Sequence, residues 1–341
     1  MKRLLIVMPQ CGKPDLTIRS IVSLRKSCCM DFDVLVVDNG SGPADITRIR
    51  EEAPEISLAE LGKNLGYGGA CNFGIGFASQ KAYEFCLLAN NDTEFSSTAV
   101  GELIQFMDSH PQVGACQPML LQLENPEVID SSGQFVTPMM LHQERGRGEK
   151  NDHQYDARTE IFAPKGAALL ARMSAILEVG GFDPLFFLTY DDLDLAWRLQ
   201  LAGYDVRLCP QAMVYHCAAS PTISLALEVN FYHGEKNRLR IAVKNYSFAH
   251  LALYFPLLLG IYAFNCFRYF VTLNWGRAWS VVRALGWNLL QGRETWAERK
   301  RIQRLRRVPD GQILRRMLPF WRGLLLSEVF KTFRLKQGRT S

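Results

Sequence analysis

The tightest constraint on the fold is a pattern repeated between residues 4 and 93: a short apolar run stops at a polar turn, and a helical segment follows. Leu4-Leu-Ile-Val-Met8 is closed by Pro9, and Phe32-Asp-Val-Leu-Val-Val37 runs into Asp38-Asn-Gly-Ser41. Ile56 to Leu61 is a third run, and Phe85-Cys-Leu-Leu-Ala89 ends in Asn90-Asn-Asp-Thr93. Runs this short and this apolar read as strands buried on both faces. Leu16 to Lys26 has helical spacing, and a polar helix follows Ser41. Strands that alternate with helices build an α/β domain whose sheet is largely parallel. Ligands bind such sheets beyond the carboxyl ends of the strands, so Asp38 and Asp92 are ligand candidates. Both are equally suited to forming turns.

Two further stretches carry candidate chemistry. Gly62-Lys-Asn-Leu-Gly-Tyr-Gly-Gly-Ala-Cys-Asn-Phe-Gly74 follows a strand and opens a helix, but the third glycine of a dinucleotide fingerprint falls on Cys71. The dinucleotide reading fails on its own spacing. What remains is a glycine-rich loop whose N–H groups can approach a phosphate. The second stretch holds the acid pair Asp191-Asp192 and a third carboxylate at Asp194, at the start of a helix that runs to Leu201 and is stopped by Gly203. Asp194 and Arg198, four residues apart, can pair on one helix face. A short strand past Pro210 then delivers His216. Two acids and a histidine fit a base and a metal ligand in one cleft, and they fit a capped helix with a buried histidine as well. Between these stretches, Glu124 to Glu160 is polar and poorly periodic, the pattern of a loop-rich lobe.

The chain of 341 residues suits one large domain with an extension. Its nine cysteines include the neighbours Cys28 and Cys29 but no Cys-x-x-Cys, and Met1-Lys-Arg-Leu-Leu-Ile is not a signal peptide. Reduced thiols in a cytosol-facing protein are expected, without a zinc cluster. Charge is unevenly spread. Residues 277–341 hold 16 Lys/Arg and 4 Asp/Glu, a net +12, whereas the preceding residues hold 23 and 30, a net −7. A basic tail seeks a polyanion. Phe248 to Phe267 carries no formal charge and is long enough to span a bilayer. A single span would move the +12 tail across, against the positive-inside tendency. An amphipathic or re-entrant attachment to an anionic membrane surface is expected instead, on the cytoplasmic face, with a true span or an ordinary pair of core helices as the alternatives. Arg299 to Arg307 is read as headgroup contact, and no nucleic-acid partner is expected.

The ordered set Val36-Val-Asp-Asn-Gly-Ser41, Asn64-Leu-Gly-Tyr-Gly-Gly-Ala-Cys-Asn72, Asn90-Asn-Asp-Thr93, Gly166-Ala-Ala-Leu-Leu170, Val179-Gly-Gly-Phe-Asp183, Tyr190 to Arg198 and Pro210 to His216 resembles the family 2 glycosyltransferases, bacterial rhamnosyltransferase-like members especially. The resemblance covers roughly residues 3 to 245. It implies a GT-A-type (Rossmann-like) α/β fold, a nucleotide-diphosphate sugar donor, a divalent metal (Mg2+ or Mn2+) and inversion at the anomeric carbon. It gives a catalytic domain over 1–245, with a nucleotide-sugar half of about 1–120 and an acceptor half of about 160–245, followed by a helical, basic membrane-associating tail over 246–341. Asp192 matches the general base. Asp92 matches the last acid of the family's metal motif, whose first acid is Asn90 here, and His216 matches a second metal ligand. Asp38, Asn64, Gly68, Asn90, Gly166, Asp191 and Arg198 are the implied substrate contacts. Pro9-Gln-Cys-Gly-Lys13 departs from the family's usual segment after the first strand. Phe231 to Arg240 resembles the segment after the catalytic domain in lipid-linked members. The implied activity is sugar transfer to a lipid-linked or cell-surface glycan. Alternatives are a membrane-bound sugar-nucleotide or glycan-binding protein without activity, and a sugar-nucleotide nucleotidylyltransferase.

Overall fold

The computed structural model describes residues 2–217, 223–319 and 321. Its first half follows the alternation in the sequence: β1 (Leu4–Gln10), α1 (Pro14–Leu24), β2 (Phe32–Asp38), α2 (Pro43–Glu52), β3 (Ser57–Glu60), α3 (Gly66–Gln80) and β4 (Phe85–Ala89). β3, β2, β1 and β4 pair in that order and in parallel. Leu4 to Met8 and Phe85 to Ala89 are fully buried, as strands covered on both faces must be. Parallel neighbours bring their carboxyl ends to one edge, so Gln10 lies beside Asp38.

The second half makes the sheet mixed. It contains β5 (Thr93–Phe95), α4 (Ala99–Ser109), β6 (Val113–Gln122), β7 (Ile129–Ser131), β8 (Gln134–Val136), β9 (His142–Glu144), β10 (Ala168–Arg172), α5 (Met173–Glu178), α6 (Asp191–Leu201) and β11 (Asp205–His216). The sheet continues from β4 through β10, β6 and β11 to β5, with β7 on β6. β10 runs antiparallel to both neighbours and β5 antiparallel to β11, so parallel pairing covers only the first four strands and the β6–β11 pair. The segment from 124 to 160 is less of a lobe than its polarity suggests. Ile129 to Ser132, Val136, Met139 and Met140 are buried, and β8 and β9 form a hairpin against the core.

Five helices complete the described chain: α7 (Ile223–Asn245), α8 (Phe248–Val271), α9 (Trp275–Leu290), α10 (Gly292–Leu305) and α11 (Asp310–Arg315). The expected division between 245 and 246 falls at the end of α7, and the segments on either side pack together. Tyr246 is buried against Trp197 and donates a hydrogen bond to Pro138 O. Much of the arginine-rich run is turned to the protein. Arg301 donates to Val179 O, Arg307 to Ala202 O, Arg299 to Val243 O and Tyr246 O, and Arg306 to Asn245 O. These are carbonyls at the C-termini of α5, α6 and α7, which carry partial negative charge and lack helical partners. The run therefore caps three helices at once. The tail past residue 321 lies outside the described residues.

Beneath these caps lies a buried ionic cluster. Asp183 accepts from Arg240 Nε at 2.8 Å and from Lys244 Nζ. Asp194 accepts from Arg198 Nε at 2.9 Å and lies 3.0 Å from Lys244 Nζ. All five side chains are at most 3% exposed. Burial raises the cost of ionising Asp183, but Lys244 and Arg240 outweigh it and hold its pKa below the usual carboxylate range. The cluster joins α6 and the loop before it to α7. Removing Asp183 leaves Arg240 buried without a carboxylate, so Asp183→Ala is expected to cost about 3–5 kcal/mol. Urea denaturation of the full chain measures it, and a loss under about 1 kcal/mol would show that the cluster is solvated.

Candidate active site

The acid pair begins α6, and the chain entering it is forced into place. Thr189 and Tyr190 both have positive φ, 64° and 65°, a conformation costly to residues other than glycine. α7 holds the turn. Asn237 Nδ2 donates to Leu188 O at 2.9 Å and Thr189 O at 2.7 Å, and Lys236 Nζ donates to Leu185 O at 3.1 Å. The Tyr190 hydroxyl donates to Met140 O at 3.0 Å, in the 124–160 segment. A cavity of about 540 Å3 opens beside this turn. Asn90, Gly166, Asp191 and Asp192 line it together with Tyr67, Gln134, His142, Glu144 and Lys165. Asn230, Phe231 and Gly234 of α7 and Arg277 of α9 form part of its wall.

The two acids occupy different environments. Asp192 is partly exposed, and its carboxylate accepts from Gly166 N at 2.9 Å, Gln134 Nε2 at 3.0 Å and Leu193 N at 2.7 Å. Burial raises its pKa, while these donors pull it back. Asp191 is 6% exposed, and its Oδ2 has no hydrogen-bond partner. Burial, and then the neighbouring Asp192 charge, lift Asp191 to about 7. Both acids are therefore shifted up, and each one's ionisation opposes the other's.

A second cluster sits at the ends of β4 and β11. His216 Nδ1 contacts Asp130 Oδ2 at 2.9 Å, and His216 Nε2 lies 3.4 Å from Asp92 Oδ1. Burial disfavours the imidazolium, but Asp130 and then Asp92 overcome this and raise His216 to about 9. Asp130 falls to about 2, because His216 and Lys165 outweigh the effect of burial. Lys165 Nζ donates to Asp130 at 2.7 Å and Glu144 at 3.3 Å. It adjoins Gly166, which holds Asp192, so the backbone connects the two clusters. Among the described residues, no three His, Cys, Asp or Glu side chains converge as a metal cage. A two-ligand site fits better. Asp92 Oδ1 is buried 3.4 Å from His216 Nε2, where the two form an ion pair, and a cation held between them would displace the Nε2 proton. Asp130 orients the ring as a carboxylate behind a ligating histidine does.

Other sequence-derived candidates stand apart from the cavity. Asp38 is buried at the end of β2, where Oδ2 accepts from Gly40 N and Ser41 N, both at 3.2 Å, and Oδ1 has no partner. Asn64 builds the adjoining turn, its Oδ1 accepting from Gly66 N at 2.8 Å and Asn39 Nδ2 at 3.1 Å. Gly68 is buried inside α3, where an added Cβ would stand 3.0 Å from Phe182 Cβ. It is a packing glycine, and the expected phosphate loop is mostly helix. Arg198 is buried against Asp194 and Val179 O and is not among the residues that line the cavity. Sequence reasoning missed Gln134, Asp130, Lys165 and Asn237. For Asn237 the one signal was its place in the Lys236-Asn237-Arg238 segment. Asp130 and Gln134 sat in a stretch without periodicity.

The model of "Glycosyl transferase family 2" matches residues 5–175. An N-acetylglucosaminyl-diphospho-decaprenol L-rhamnosyltransferase of Mycobacterium tuberculosis is 28% identical over 223 residues, covering 60% of this chain and 72% of the relative. A mannosyltransferase from Pyrobaculum calidifontis, solved with GDP-Man and Mn2+, superposes with a TM-score of 0.52 at 15% identity, covering 89% of this chain and 85% of its own. GalNAc-T7, solved with UDP, GalNAc and Mn2+, gives 0.57 at 13% identity, covering 74% and 49%. The two structural likenesses establish a GT-A-type fold.

The raised Asp191 carries a stability consequence. Its carboxyl titrates near 3.8 when free and about 7 when folded. As pH rises between these values the unfolded chain releases the proton first, so stability falls and stays lower above pH 7. Asp191→Asn is expected to raise Tm at pH 8 and change it little at pH 4. An equal change at both pH values would show that Asp191 ionises normally in the fold.

Proposed function

The chain belongs to glycosyl transferase family 2, and on that premise we propose that it transfers a sugar, with inversion, from a nucleotide-diphosphate sugar to a hydroxyl of a lipid-linked or other glycan acceptor. The observation that carries this reading is the cavity itself. It joins Asp192, its carboxylate fixed by Gly166 and Gln134, to Asn90 at the β4 end, two residues before Asp92.

Asp192 is the general base. Fixed hydrogen bonds aim its carboxylate, and its accessible edge receives the acceptor proton as the hydroxyl attacks the anomeric carbon. Burial raises its basicity toward the operating pH, which favours proton transfer. Asp191 lies beside it in the acceptor site, and Asp38, at the far strand ends, takes the nucleotide. Asp92 and His216 are the residues to hold a divalent cation. When bound, it would neutralise charge on the departing diphosphate. Asp192→Asn should lower transfer by about 100-fold or more while donor binding persists. Near-native turnover in that variant would remove Asp192 from the mechanism.

The cation assignment is tested apart from the base. Chelation should abolish transfer by the native enzyme, and either Asp92→Ala or His216→Ala should weaken Mn2+ binding, read by paramagnetic resonance of the ion. Activity that survives exhaustive chelation would refute the assignment.

Attachment to the cytoplasmic face of a membrane is proposed through apolar contact. Among the described residues α8 is the one helix long and apolar enough to cross a bilayer, with mean hydropathy 1.5 and 11% of its apolar window buried. It packs on its neighbours through Leu258, Tyr262 and Tyr269. Phe264, Phe267, Phe270, Leu273, Trp275 and Trp279 remain exposed on α8, α9 and the turn between them. A helix held along one side by the protein suits an interfacial position, with tryptophans at headgroup depth. Replacing Phe267, Leu273, Trp275 and Trp279 together by serine should move the full chain from the membrane to the soluble fraction, whereas high salt alone should not. Complete release of the native chain by salt would favour attachment by charge.

A further inference from the structure

The turn that opens α3 joins the two halves of the site. Gly66 has a φ of 76°, and a Cβ there would stand 2.2 Å from Phe187 O, so glycine alone lets α3 meet the loop that leads into the acid pair. Tyr67 N donates to Phe187 O at 3.2 Å. The Tyr67 hydroxyl donates to Gly166 O at 2.6 Å, and Gly166 N donates in turn to Asp192 Oδ2 at 2.9 Å. The Tyr67 ring packs edge-on against buried Phe182, with centroids 5.8 Å apart, and lines the cavity with both acids. Burial, and then Cys71 and Asp191, hold the phenol above its ordinary range, so it stays a donor near neutrality. On the other side of the turn stands Asn39, the residue after Asp38. Its side chain accepts from Leu65 N at 2.8 Å and donates to Gly66 O at 3.1 Å.

We propose that Tyr67 is a positioning residue for the base: its hydroxyl fixes the Gly166 backbone, so that the Gly166 N–H holds the Asp192 carboxylate in place. Gly166 has no side chain to restrict its backbone, and it lies in the turn before β10 rather than in the strand. A hydrogen bond on its carbonyl supplies the restraint that the residue itself lacks. The same turn of α3 is anchored through Asn39 to the strand end assigned to the nucleotide, so donor side and base share one frame. This role rests on the reading of Asp192 as the general base of sugar transfer, and it adds what keeps that base aligned.

The test compares the full chain with Tyr67→Phe, which deletes one oxygen and keeps the ring. One measurement is the pH dependence of nucleotide-sugar hydrolysis, with UDP-, GDP- and dTDP-sugars as donors and water in place of the acceptor. The other is the titration of Asp192, followed by NMR of isotope-labelled aspartate carboxyls and assigned with Asp192→Asn. Tyr67→Phe should lower kcat about tenfold, the size of one lost hydrogen bond, with donor KM and Tm near native. The Gly166 N–H lowers the Asp192 pKa, so loosening it should move the acid limb of the rate profile and the Asp192 titration to higher pH. Asp191, Tyr190, His142, Glu144, Lys165 and Arg277 line the same cavity and keep their side chains in the variant, so the movement reports the lost hydroxyl. Tyr83→Phe, which removes a hydroxyl that donates to Asp33, should leave both measurements unchanged. An Asp192 titration unmoved in Tyr67→Phe overturns the proposal: with a raised donor KM it would mark a direct substrate contact, and with a lowered Tm a purely structural bond. Failure of the native enzyme to turn over any nucleotide sugar would instead overturn the functional reading, and the titration would still decide whether Tyr67 holds the carboxylate.

Discussion

The contact on which most of this structure depends is the bridge that Lys244 makes between Asp183 and Asp194. Asp183 lies in the loop that leads to the acid pair, Asp194 in the first turn of α6, and Lys244 near the end of α7. Each charge would be prohibitive to bury alone, and each is tolerated because the others are present. Arg240 and Arg198 give each carboxylate a second cationic partner. The cluster therefore specifies one arrangement of α6 and α7, and Asn237 can then hold a turn in which two successive side chains adopt positive φ.

That arrangement makes the C-terminal helices part of the catalytic body. The arginines from 299 to 307 act over short distances, on carbonyls at three helix ends, and not as a diffuse positive surface. A count of charge in the tail could not reveal this, because net charge does not record which groups are matched by helix-end dipoles. With those arginines committed to the protein, the exposed apolar side chains of α8 and α9 become the feature most in need of a partner.

The site combines two devices at different strand ends. At α6, burial and like charge bring one acid of a pair up to about 7 while backbone donors orient the other. At β4 and β11, a histidine and an aspartate meet, with Asp130 behind them. Lys165 and Gly166 connect the two through consecutive backbone positions. A shift of this segment would therefore disturb the acid pair and the His216 cluster together.

The sequence by itself determined the alternating strands and helices of the first half, because a strand buried on both faces must be apolar throughout and must stop at polar turns. It also marked Asp92 and Asp192 as candidates, since carboxylates at strand and helix ends leave a local mark, and the fold gathers Asp192 with Asn90 and Gly166 in one cavity. Only the tertiary structure decided the remainder. The antiparallel course of β10 depends on how the chain returns through residues 124–160, a stretch without periodicity that nonetheless contributes Asp130 and Gln134. Gly68 and Arg198 had the right chemistry for ligands but were needed for close helix packing and for a buried ion pair. A residue's neighbours across the core leave no trace in its own spacing, and those neighbours decide whether a polar side chain serves the fold or faces a substrate.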